Sequence, residues 1–587
     1  MSGSIIFSLS AVSISHTLLA IPLILIATCL LTWLITTFNF SRSIAEFKSR
    51  ETEKTNRISL STQQSNPITP PVLPYAIPWL GSALTFLNEN PGSFWRMLRA
   101  RLAHTGTNVQ ICTILLGGKR AHVVNSAAAV QVLFKSRHVS RDLFNHQLAT
   151  QALGTSKRDA ELMFPSSSSS SSSERHQRER RQQDKKDSMD AVSHEFLLNQ
   201  SAVNALTGKF MEYFCRSLNE ADLDLDLDRE WKTVDLLAWM KKIMFDASVV
   251  AVFGTKILDM NPDLAEQFWK YESGFLPRFY GVPRFVKPSA YACRDELLDR
   301  TQSWVEYVLA EHGGSPPGEP DWEPLLGSKV VRARHRFYAR EGLSTRGRAA
   351  FDLGFLFGLA ANVVPATNWL LAHLLSPSTP DDVLRRVRTE VEYARRPRND
   401  VVDMAVLMAQ PLLNSVFNET MRHYVDCLVT RQLETDMVVD GYLLRKGDLI
   451  MAPSSLSQHD TVFWEQNFEP SADTWYAERF IRHDETPGKQ GGLMSSTSWC
   501  GGKFFPFGGG SHACPGRVFA KQKILGAVAA FLMQFDVEFV EFLGTDRKGN
   551  VVSLGTEESA FPKVKQQYAG NGTLAMDGDI RVRIRRR

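Results

Sequence analysis

Residues 504–520 read FFPFGGGSHACPGRVFA, and the fold turns on how this stretch is understood. Gly508, Gly509 and Gly510 let the backbone fold tightly and come close to a flat group, and Phe507 can pack beside such a group's face. Gly510, His512, Cys514 and Gly516 occupy a turn leading into the apolar helical run Val518 to Met533, with Pro515 suited to the first helical position. A cysteine placed there has backbone N–H groups and the helix dipole to stabilise its thiolate, the state that binds a metal. Zinc is a poor fit, because His512 and Cys514 are close in sequence and no second ligand pair follows. A phosphate loop fails too, since no Gly-Lys-Ser/Thr follows the glycines.

Outward from this stretch, the 587 residues are 43% hydrophobic, 22% charged and 10% aromatic, which supplies a large core and excludes disordered, collagen-like and disulfide-scaffold chains. The 67 basic and 63 acidic residues leave a formal charge of +4, too little for a field that would gather nucleic acid. The seven cysteines (Cys29, Cys112, Cys215, Cys293, Cys427, Cys500 and Cys514) are odd in number and hold no Cys-x-x-Cys pair. That argues for a reducing compartment and against a disulfide framework or zinc ribbon.

Thr17 to Thr36, TLLAIPLILIATCLLTWLIT, is free of charge. At about 1.5 Å per residue it can cross a hydrocarbon core of about 30 Å. Lys and Arg are absent before it, whereas Arg42, Lys48, Arg50, Lys54 and Arg57 follow, which orients the downstream chain to the cytosol. A cleaved signal peptide would want a basic start and a shorter apolar run. The prolines of NPITPPVLPYAIPWLG (66–81) forbid helix and favour an extended tether. The expected organisation is an anchor over 1–40, a charged and proline-rich tether over 41–80, and one large body over 81–587. Within it, eight serines (166–173) and ERHQRERRQQDKKD predict a disordered insertion at about 163–187. The sequons at Asn199, Asn418 and Asn571 stay unmodified in the cytosol.

Gly117-Gly118, between Val109 to Leu116 and Lys119 to Val124, predicts a hairpin, as does Asp440-Gly441 between Met437 to Val439 and Tyr442 to Leu444. Helical spacing dominates from Ala191 to about Val425, and strand-like alternation returns from Thr573 to Ile584. The fold class is therefore mainly α with small antiparallel β-sheets.

In these motifs the chain resembles the cytochrome P-450 superfamily over nearly its whole length. The resemblance implies a single haem domain in which haem b (iron protoporphyrin IX) takes Cys514 as its metal ligand, with Phe507, Gly510, His512 and Gly516 around it. The family usually has Arg where His512 stands, contacting a propionate; His can donate there, with a charge that depends on pH. Glu419 and Arg422 of NETMR lie three apart on one helical face, and Arg479 of YAERF is the implied third member of a structural triad. Arg431 matches a position that often binds a propionate. A long helix over the distal haem face is expected at Ala349 to Leu375. Its usual acid and Thr, which deliver protons, are here Ala361 and Asn362, the catalytic candidates, with Pro365 kinking the helix. The run Asn362, Pro365, Ala366, Trp369 is similar to the branch that holds sterol hydroxylases and prostacyclin synthase.

The implied function is a monooxygenase of the endoplasmic reticulum membrane acting on a lipophilic substrate. Its electrons would come from an NADPH-cytochrome reductase, for which Arg517, Lys521 and Lys523 are candidate docking charges. A haem-thiolate isomerase or dehydratase that needs no reductase is the alternative, and a catalytically silent haem-binding scaffold the third.

Overall fold

The structure, a computed structural model, describes residues 4–56, 66–88, 92–106, 109–165, 188–220, 230–311, 320–396, 402–466, 470–483, 492–546, 549–566, 570 and 572–587. The expected insertion lies outside these residues from 166 onward, as does Asn571. The chain divides into two units, one of residues 1–141 and 428–457, the other of residues 142–427 and 458–587.

The first unit begins with a helix of 53 residues, Ser4–Asn56, which runs on through the charged stretch expected to belong to the tether. Lys, Arg and Glu are good helix formers, and Glu46 and Arg50 add an i,i+4 ion pair at 3.0 Å. Within it, Ile21–Arg50 is long and apolar enough to span a membrane, and Leu23, Leu25, Trp33 and Phe38 are exposed. The proline-rich stretch is not helical, but it lies along a sheet instead of hanging free. Leu73 donates to the Thr113 carbonyl and Thr113 to the Pro71 carbonyl, both at 2.8 Å. The sheet has five strands in the order Ile111–Leu116, Lys119–Val124, Leu449–Pro453, Leu428–Leu433, Val139–Ser140. Both hairpins form where expected: φ is positive at Gly117 and Gly118 in one, and at Asp440 and Gly441 in the other, as a two-residue turn requires.

The second unit is mainly helical. Gln200–Glu220 packs on both Leu236–Phe253 and Arg517–Gln534, and these two pack against the long helix expected from Ala349 to Leu375. That helix starts earlier, at Thr345, where the Ser344 hydroxyl caps it by accepting from Gly347 N–H at 3.0 Å. It then stops at Ala360 and restarts at Val363. Leu236–Phe253 is buried almost all round, which fits its run of apolar residues. A four-stranded antiparallel sheet (Val551–Gly555, Phe535–Thr545, Asp579–Arg586, Lys232–Asp235) receives the chain's end. Helices with small, mostly antiparallel sheets are thus what the chain forms.

Candidate active site

Cys514 is exposed, alone among the seven cysteines. Gly508 and Gly510, both at φ 68°, turn the loop back on itself so that Cys514 N–H donates to the Phe507 carbonyl at 2.9 Å. The helix behind it starts at Arg517 with Gly516 as its cap, two residues later than Pro515 led one to expect. The Gly516 N–H therefore stays outside the helical ladder and bonds the sulfur. Although solvent reaches the residue, enough protein surrounds the sulfur that burial pushes its thiol pKa up, against the Gly516 N–H and the Arg517 charge. A metal ion at the sulfur would reverse that balance. Among the described residues no group of three His, Cys, Asp or Glu could hold a metal. One accessible thiol on a glycine turn fits a ligand to a metal cofactor that would bring its own remaining donors.

The triad residues stand together. Arg422 grips Glu419 with two N–H groups, at 2.7 and 2.8 Å, and Arg479 donates to the same carboxylate at 3.0 Å. All three side chains are fully buried. Burial raises the Glu419 carboxyl, but the two guanidinium groups and the Tyr476 N–H outweigh it and hold the pKa below its ordinary value. The remaining guanidinium donors go to main-chain carbonyls: Arg422 to Gln458 and Ala472, both at 2.7 Å, and Arg479 to Ser471 and Thr474 at 3.0 and 2.9 Å. The triad thus pins the chain around 470–476. Buried Trp464, Ala472, Phe480 and Cys500 carry this bracing onward, with Phe480 and Phe504 rings 5.1 Å apart at the entrance to the cysteine loop. Sequence inspection passed over this aromatic layer, although Trp464, Phe480, Trp499 and Phe504 are visible as large apolar residues flanking the motifs.

Ala361 and Asn362 form the gap between the two halves of the distal helix. Ala361 is buried, and Asn362 Oδ1 accepts from the Thr573 N–H at 2.8 Å. That bond fixes the amide's orientation and leaves Nδ2 as the group able to act elsewhere, a donor only. Trp369, two turns on, donates from Nε1 to the Leu574 carbonyl at 2.7 Å and stacks on Tyr424 with centroids 3.7 Å apart. Two residues of the Asn-x-x-Pro-Ala-x-x-Trp run therefore clamp the segment 572–574. Gly572 is required there: φ is 86°, and a Cβ would collide with Asn362 Oδ1. Nothing in the linear order pointed to residues some 210 positions downstream of Asn362.

Other expected residues fall as follows. Phe507 and Gly516 are half-buried in the loop, while Gly510 and His512 form an exposed helical turn. Arg431 belongs to the first unit, in the strand Leu428–Leu433, where it donates to the Thr430 carbonyl at 2.8 Å. Of the three docking charges, Arg517 is exposed, Lys521 is half-buried with a pKa lowered by burial to about 8, and Lys523 is fully buried with its pKa lowered to about 7. Six residues along a helix place Lys523 well round from Arg517, on the inward face, so it is not a docking charge.

Comparison with known proteins agrees with this geometry. The cytochrome P450 family model matches residues 339–557, which hold the distal helix, triad and cysteine loop. A cytochrome P450 monooxygenase, calL, of Penicillium decumbens is 29% identical over 83% of this chain and 88% of its own. The cholesterol 7-alpha-monooxygenase of Cricetulus griseus is 24% identical over 88% of this chain and 93% of its own, in keeping with the sterol hydroxylase likeness of the distal helix. The fold matches that of a cyanobacterial CYP120A1 with retinoic acid bound, with a TM-score of 0.59 and 19% identity over 89% of this chain and all of that one. Residues 339–557 match a cytochrome P450 domain, and the chain has the cytochrome P450 fold. It is an oxidoreductase of the monooxygenase type, and its family implies a haem-thiolate cofactor, a redox partner and a lipophilic substrate.

Proposed function

We propose that this P450 is a membrane-anchored monooxygenase that inserts one oxygen atom from dioxygen into a sterol, terpenoid or polyketide in specialised-metabolite biosynthesis. Electrons come from an NADPH-cytochrome reductase, and the anchor holds the catalytic body on the cytosolic face of the endoplasmic reticulum membrane. Fungal monooxygenases among the relatives support the metabolic setting. Haem b, held by Cys514, supplies the oxygen-activating chemistry.

The observation that carries the proposal is the accessible Cys514 thiol on its glycine turn, one helix start away from Arg517. The Gly516 N–H and the Arg517 charge share the negative charge of the thiolate. On the oxygen side, Ala361 offers no carboxylate, and Asn362 Nδ2 is left as a donor that can orient water. Phe357, one turn before Ala361 on the same helix, stacks on Phe275 at 3.9 Å, which gives the approach an apolar wall suited to a lipophilic substrate.

A second function draws on the same amide. Because its Oδ1 is committed to Thr573, Asn362 cannot pass a proton through as an acid and alcohol pair does, and a peroxide isomerase or dehydratase needs no such passage. Labelled dioxygen separates the two. Microsomes holding the protein and a reductase, given NADPH and a lipid extract of the source organism, should yield a product with one labelled oxygen atom that is lost in a Cys514→Ala variant. A product formed without NADPH and without label would overturn the monooxygenase proposal and establish the isomerase.

A further inference from the structure

Lys523 lies nine residues after Cys514, on the helix Arg517–Gln534 that follows the cysteine loop, and is 0% exposed. An ammonium so buried is costly unless its N–H groups are taken. Among the described residues no carboxylate pairs with it. Its Nζ donates instead to Ser248 Oγ at 3.0 Å and to the Leu359 carbonyl at 2.9 Å, with the rings of Phe519 and Phe210 at 4.9 and 5.6 Å.

Leu359 is the informative partner. In an unbroken helix its carbonyl would accept from the amide of Val363. Here the helix stops at Ala360, and Pro365 also deprives the Ala361 carbonyl of its helical donor. Carbonyls released inside a core must find other donors. Lys523 supplies one, reaching across from the cysteine helix. Charged or neutral, the amine keeps N–H groups to give, so the clamp does not depend on its protonation.

We propose that Lys523 is a positioning residue that holds the break in the distal helix, and so the place of Ala361 and the Asn362 amide, against the cysteine helix. What that place does for oxygen chemistry rests on the function proposed above; the clamp itself is tested without it. Lys523→Met keeps the length of the side chain and removes its donors. In the haem-loaded full-length protein, hydrogen exchange of the amides of 361–364 and 366 should then run about tenfold faster, while the absorption of the reduced carbon monoxide complex stays that of a thiolate. A larger share of the NADPH consumed should appear as hydrogen peroxide. Unchanged exchange would overturn the proposal.

Pro365→Ala provides the second arm. It returns an N–H to residue 365 and lets the helix close, so Lys523→Met in that background should change exchange by less than about twofold. Equal effects in both backgrounds would mean that Lys523 only fills space, and the clamp would fall. If Lys523→Met alone yields no haem protein, the double variant should recover it, and failure of both would also overturn the proposal.

Discussion

The two sides of the site are built on opposite principles. Under the cysteine loop, one carboxylate answers two guanidinium groups, and most of their remaining donors meet a main-chain carbonyl. At the distal helix the groups that meet are mostly neutral: an amide on a backbone N–H, an indole on a carbonyl, a lone lysine on a hydroxyl and a carbonyl. A balanced buried ion network resists rearrangement because removing one member strands the others in low dielectric. Neutral hydrogen bonds cost less to break, so the distal helix around Ala361 and Asn362 should yield more easily than the triad.

The comparison breaks first if the triad is dispensable. Glu419→Ala leaves two guanidinium groups buried without their carboxylate and should cost about 3–5 kcal/mol, enough to abolish haem-loaded protein in spectra of the reduced carbon monoxide complex. Normal yield of thiolate-ligated protein would show that the ionic side is no stiffer than the other. On the oxygen side, Asn362→Ala strands the buried Thr573 N–H and should cost about 1–3 kcal/mol by thermal unfolding, with haem binding retained.

Acid should remove stability in two stages, histidines before the triad carboxylate. Burial lowers the His373 pKa to about 3, on the distal helix where its Nε2 meets the Tyr424 hydroxyl at 2.7 Å. A histidine depressed in the folded state contributes stability that is present above its unfolded pKa of about 6.5 and is lost as pH falls toward its folded value. Glu419, also depressed in the folded state, contributes above about 4.3 and loses its part only as pH falls through its folded value. Loss of stability should therefore begin near pH 6 to 6.5, where buried His423 on the triad helix contributes in the same direction, and deepen below about 4.3, and His373→Phe should reduce the first phase in denaturant titrations. A single phase starting only below about 4.3 would contradict this order. The smallest effect is at the surface: Arg585→Ala removes a half-exposed pair with Asp536 at 3.1 Å and should shift unfolding by less than about 1 kcal/mol.

Much of the ionic side was legible in sequence because its residue types are committed. Glu419 and Arg422 sit at helical spacing, Cys514 precedes an apolar helix, and Gly508 and Gly510 take the positive φ that their turn demands. The hairpins were legible for the same reason, since Gly117-Gly118 and Asp440-Gly441 state the turn within two residues. The oxygen side was only half legible. Pro365 announced a disturbed helix, but not that two residues, Ala361 and Asn362, would leave it altogether, because the cost of that gap is met by distant groups. Lys523 was misplaced for a related reason. A lysine three residues after Ala520 in a mixed stretch reads as surface, and only the packing of Phe210, Ser248 and Leu359 around it turns it inward.

Sequence alone determined the family resemblance, the cysteine loop before its apolar helix, the hairpins and the apolar segment able to span a membrane, since each depends on residues near one another in the chain or on the composition of one segment. Only the tertiary structure decided which groups satisfy the broken helix: Thr573 for Asn362, Leu574 for Trp369, Lys523 for Leu359. Buried donors and acceptors must be paired, but which distant partner pairs them is set by how the helices and the terminal strands pack, and no local spacing records that choice.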